Sequence, residues 1–75
     1  MKKTLNYTGS KPAVLCAWLK EPGDAYRTGE PLCDIECDKV VRQFTAETDG
    51  VLTSQLAEEG DTLAPGEAFA EVDAV

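Results

Sequence analysis

The chain has 75 residues, with 14 acidic and 7 basic side chains, no histidine and a net charge of −7. This length allows one domain, near the lower limit for folding on a hydrophobic core, and a hydrophobic content of 43% is too high for a disordered tail. The charge argues against nucleic acid, which needs clustered Lys and Arg, no apolar run approaches membrane-spanning length, and Met1-Lys2-Lys3-Thr4 lacks the apolar stretch of a signal peptide.

Gly and Pro punctuate the chain too often for a helical period, and short β-rich runs fill the gaps. The first covers residues 5–7, and residues 6–13 read as an irregular loop. The second, 14–19, alternates Leu15, Ala17 and Leu19 with Cys16 and Trp18, which predicts the leucines inward and Trp18 on the outer face. Gly23-Asp24 reads as a turn, glycine supplying a positive φ and aspartate bonding to backbone N–H groups. Gly29-Glu30 opens the next run, 32–37. Runs 40–45, 51–56 and 69–72 follow, with Leu52, Ser54 and Leu56 inward, and turns expected at Gly50 and Gly60-Asp61. Such runs with turn signals at short intervals read as an all-β sandwich or barrel.

Residues 2–36 recur without a gap as 39–73, with ten of 35 positions identical where ordinary residue usage gives about two. Val14-Leu15, Leu19, Glu21, Gly23-Asp24 and Gly29-Glu30 return 37 residues later, and Tyr7-Thr8 aligns with Phe44-Thr45. Two copies in so short a chain imply an internal pseudo-two-fold axis rather than a solenoid. The joint between them, Asp38-Lys39, has the length of a tight hairpin turn. That pairing sets Cys37 opposite Val40, Ile35 opposite Arg42 and Cys33 opposite Phe44, leaving Arg42 as a misfit on the core face. Both termini are expected together at the symmetry mate of this turn.

Cys16, Cys33 and Cys37 offer neither a CxxC nor a histidine, so they read as reduced, small apolar strand residues rather than zinc ligands. No nucleophile has a plausible base, and no catalytic site is expected. Lys39 has Asp38 beside it and water around it, without the burial or cationic neighbours that an activated catalytic amine requires. What a lysine at such a tip offers is access, suited to amide bond formation by an enzyme that reads the folded hairpin.

The runs Trp18-Leu19-Lys20-Glu21-Pro22-Gly23-Asp24, Ile35-Glu36-Cys37-Asp38-Lys39-Val40, Asp49-Gly50-Val51-Leu52 and Glu59-Gly60-Asp61-Thr62 carry a resemblance. The chain is similar to the lipoyl domains of 2-oxo acid dehydrogenase complexes, in the biotinyl/lipoyl attachment family. Cys37 and Val40 are mild departures from the family's central motif. The resemblance implies a flattened β-barrel or sandwich of two small antiparallel sheets with a pseudo-two-fold axis, and lipoic acid in amide linkage on Lys39, with Glu36, Asp38 and Val40 helping the attachment enzyme to recognise it. It implies four partners: a lipoate attachment enzyme, a thiamine-diphosphate-dependent 2-oxo acid decarboxylase, an acyltransferase core and dihydrolipoamide dehydrogenase. The domain is expected to be a non-catalytic monomeric carrier, part of a dihydrolipoamide acyltransferase or free-standing. A cytoplasmic location is expected from the bacterial-type start, or the mitochondrial matrix for an excised domain. A biotin carrier, which typically presents its lysine between two methionines, and an unmodified structural module of the same fold are the alternatives.

Overall fold

Strands form wherever β-branched and aromatic residues run between the Gly/Pro turns, and the computed structural model describes residues 1–75 with eight strands and no helix. They are β1 (Lys2–Asn6), β2 (Ala13–Trp18), β3 (Ala25–Tyr26), β4 (Pro31–Cys37), β5 (Val40–Thr45), β6 (Gly50–Gln55), β7 (Thr62–Leu63) and β8 (Ala68–Ala74). The two-residue strands β3 and β7 fall outside the expected runs. Two four-stranded sheets result, in the orders β1-β8-β6-β3 and β5-β4-β2-β7. Each sheet takes strands from both halves of the repeat and keeps its own edges, so the structure is a sandwich of two open sheets and not a closed barrel.

The pseudo-two-fold is exact in its turns. The Gly23 amide donates to the Leu52 carbonyl at 2.7 Å, and the Gly60 amide to the Leu15 carbonyl at 2.7 Å. Asp24 Oδ2 accepts from the Glu21 amide and Asp61 Oδ2 from the Glu58 amide, both at 2.9 Å. Gly23 and Gly60 have φ of 97° and 96°.

The gapless repeat fails at its first strand. Lys3 pairs with Val72 and Leu5 with Ala70, whereas Arg42 pairs with Ile35 and Phe44 with Cys33. Structurally, therefore, Leu5 matches Phe44, an offset of 39, and the expected alignment of Tyr7-Thr8 with Phe44-Thr45 is wrong. The compensation lies in the loops. Residues 7–12 join β1 to β2, against residues 46–49 between β5 and β6, two residues fewer.

Two further expectations are corrected by β-bulges. Pairing shifts between Leu15 and Ala17, and again between Leu52 and Ser54. One extra residue per strand reverses the inward parity beyond it. Leu15 and Leu52 are fully buried as expected, but Leu19 and Leu56 are exposed. Trp18 instead turns in, half-buried against the core, with its ring 6.2 Å from that of Phe69 and Nε1–H donating to the Ala57 carbonyl at 3.1 Å. Gly50 is not a turn residue. It starts β6 without a positive φ, and a Cβ there would lie 2.7 Å from the Asp73 carbonyl oxygen and from the Tyr26 hydroxyl.

The core joins both sheets. Phe69, Leu15, Leu32, Leu52, Leu63, Val72 and Cys33 are its largest fully buried side chains, and no polar or charged residue is buried among them. Phe44 packs edge-on against Phe69 at 4.9 Å.

Candidate functional site

The β4–β5 hairpin pairs Cys37 with Val40, Glu36 with Val41, Ile35 with Arg42 and Cys33 with Phe44. Only Asp38 and Lys39 remain to turn the chain, with φ of 53° and 65°. Both central residues at positive φ make a type I′ turn, whose twist matches that of the flanking strands. Aspartate tolerates this region, but a lysine there is uncommon. The Lys39 side chain is exposed and takes part in none of the ion pairs, which are Met1–Asp73, Lys11–Asp38 and Lys20–Glu30. Its amine projects from a rigid two-strand platform into water.

The termini meet at the mate of this turn: the Met1 ammonium donates to the Ala74 carbonyl at 2.6 Å, and the Ala74 amide to the Met1 carbonyl at 2.8 Å.

The longer 7–12 loop, within the tract expected to be irregular, lies against the hairpin. The Tyr7 hydroxyl donates to the Lys11 carbonyl at 2.6 Å, and Lys11 Nζ reaches Asp38 Oδ2 at 3.3 Å. The Cys37 thiol points at the Pro12 carbonyl, 3.6 Å away. Gly9 crosses so close to the Tyr7 ring that a Cβ would fall 2.0 Å from its hydroxyl oxygen. Burial first, then Cys37 beside it, pushes the Tyr7 hydroxyl pKa up. Loop and hairpin thus form one unit around Asp38, and neither Tyr7 nor Gly9 was singled out as a site residue from the sequence. The close approach of the Gly9 backbone carries no local sequence signal.

Asp38 and Val40 flank Lys39 in sequence and are exposed, whereas Glu36 lies further down β4, half-buried, with its carboxylate 3.9 Å from the Cys16 thiol of β2. Asp24, Asp61, Gly23 and Gly60 belong to the turn scaffold described above. The arrangement contains no acid–base pair that could act on a substrate. What it provides is a primary amine on a shaped tip, and a free amine with no competing partner fits amide attachment of a carboxylic acid cofactor.

The family model for "Biotin-requiring enzyme" matches residues 8–72. Two relatives are the dihydrolipoyllysine-residue succinyltransferase components of the 2-oxoglutarate dehydrogenase complexes of Bacillus subtilis and Pseudomonas aeruginosa. The first is 46% identical over 54 residues, covering 72% of this chain and 13% of that protein. The second is 41% identical over 60 residues, covering 80% and 15%. The chain thus spans only about a seventh of the curated relatives it matches. The solved lipoyl domain of the 2-oxoglutarate dehydrogenase complex from Azotobacter vinelandii superposes with a TM-score of 0.74 at 37% identity, over 88% of this chain and 85% of that one. A single-chain, multi-domain long-chain acyl-CoA carboxylase has a TM-score of 0.87 over 99% of this chain and 7% of that one, but at 15% identity it shares the fold alone. The chain belongs to the biotinyl/lipoyl attachment family, as a lipoyl domain: a carrier module that is not itself catalytic.

Proposed function

We propose that Lys39 carries the lipoyl group, and that the domain serves a complex of the 2-oxoglutarate dehydrogenase type. The observation that carries this reading is the exposed, unpaired Lys39 amine at the apex of a type I′ turn. The lipoyl disulfide supplies a site that is reduced and acylated together, and the protein supplies its tether and effective concentration. Asp38 and Val40 mark the lysine for a lipoate attachment enzyme. The thiamine-diphosphate-dependent decarboxylase, the acyltransferase core and dihydrolipoamide dehydrogenase are the three active sites the arm visits. The net charge of −7 favours docking on basic surfaces of these larger partners.

Coexpression with a lipoate ligase and lipoate, followed by intact and peptide mass measurement, tests the assignment. A single lipoyl adduct on the peptide bearing Lys39, and none in Lys39→Arg, is the expected result. Modification at Lys2, Lys3, Lys11 or Lys20 instead would defeat it.

A further inference from the structure

The symmetry of the fold is broken at one place, and that place adjoins Lys39. A groove of about 520 Å³ runs beneath the hairpin, with Tyr7, Ile35, Val40 and Phe44 among its apolar lining and Asp38 and Val40, the two neighbours of Lys39, on its rim. Its symmetry mate contains Leu5, Val72 and Ala74, which correspond to Phe44, Ile35 and Cys37, and encloses only about 280 Å³. The larger side is bounded by residues 8–11 of the longer loop.

Arg42 lines this groove, exposed and without any ion-pair partner in a chain of net charge −7. The one carboxylate in the lining, Asp38, is already paired with Lys11. An unpaired guanidinium in a groove of mixed lining, with Tyr7, Ile35, Val40 and Phe44 as its apolar part, is complementary to a chain that is aliphatic along its length and anionic at its end.

Resting on the assignment of Lys39 above, we propose that this groove seats the arm of Lys39 when its acyl group ends in a carboxylate, as a succinyl group does. Arg42 holds the terminal carboxylate, and Tyr7, Ile35, Val40 and Phe44 cover the aliphatic part. The tether starts on the groove's own rim, so the effective concentration is in the millimolar range and a weak site is filled. An acetyl group, having no carboxylate, forgoes the Arg42 contact. The carrier itself then distinguishes dicarboxylic from monocarboxylic cargo before any partner enzyme does.

The test uses the lipoylated domain in a Cys16→Ser, Cys37→Ser background, reduced to the dithiol. The dithiol is acylated at neutral pH by exchange with a succinyl or acetyl thiophenyl ester. One arm thiol forms the new acyl–sulfur bond, the thiophenyl–acyl bond breaks, and thiophenol leaves with the proton. Amide NMR shifts are compared between the two forms. The succinyl arm is expected to move Tyr7, Val40, Phe44 and the Arg42 Nε–H, with Arg42→Gln reducing those shifts about two- to fivefold, as for a solvent-exposed ion pair, and Arg42→Lys retaining part of them. Shifts confined to residues 38–40, or equal for acetyl and succinyl arms, overturn the proposal. A domain that carries no lipoyl mass at Lys39 fails earlier and overturns the parent assignment as well. A loaded domain with a silent groove overturns only the seat.

Discussion

Lys39→Gly is expected to make the domain more stable. Lys39 holds a φ of 65° in the turn, a region that costs a residue bearing a Cβ roughly 1–2 kcal/mol. Glycine removes that cost but loses more backbone freedom on folding, roughly 0.5–1 kcal/mol. The side chain has no ion-pair partner to forfeit. The net gain is on the order of 0.5–1 kcal/mol, or about 2–8 °C in Tm for a domain of this size. Lys39→Ala keeps the unfavourable φ and should stay within about 0.5 kcal/mol of the parent. Thermal unfolding of the unmodified proteins by circular dichroism, with amide NMR to verify that the hairpin register is kept, measures both. A Lys39→Gly protein that melts at or below the parent, with its register intact, refutes the idea that the turn is strained. The expected gain means that the lysine is held at the tip against local backbone preference, as functional residues often are.

Gly23→Val and Gly60→Val should each cost on the order of 1–3 kcal/mol: φ is 97° and 96° and nothing lies within 4 Å of a new Cβ, so the loss is conformational and nearly equal at the two sites; clearly unequal melting temperatures contradict the symmetry. Acid should weaken the fold below about pH 4, near the ordinary range for carboxylates. Glu30 is held low by Lys20 and then by the Arg27 amide, and Asp49 by the Thr28 amide and then its hydroxyl. Each contribution is therefore present above the ordinary carboxylate pKa and lost as pH falls through the depressed folded value, and Glu30→Gln with Asp49→Asn should flatten the acid limb of a Tm–pH curve. Burial pushes the Cys33 thiol up to about 12, so alkylation of the native protein at pH 8 should label Cys16 and Cys37 and spare Cys33; rapid labelling of all three contradicts the packing.

Much of this protein is written locally. The 37-residue recurrence of Gly23-Asp24 and Gly60-Asp61 specifies two equivalent turns, because positive φ and an aspartate acceptor are demands of a few consecutive residues. Two residues between β-rich runs specify the hairpin, its register and the exposed place of Lys39. Other features required the assembled sandwich. The parity of Trp18, Leu19 and Leu56 depends on bulges that exist only when β2 meets β4 and β6 meets β8. Gly50 and Gly9 are required by the Asp73 backbone and the Tyr7 ring, which come close only after folding. The two-residue offset of β1 hid behind chance identities such as Lys2 with Lys39 and Thr8 with Thr45. Pairing with β8 decides that register, because sheet hydrogen bonds and the packing of half-buried Leu5 against the core, not sequence identity, position a strand. From that offset come the longer loop and the groove beside Lys39. Turn chemistry is short-range and legible in the chain, whereas the shape of the site depends on contacts between residues far apart in it.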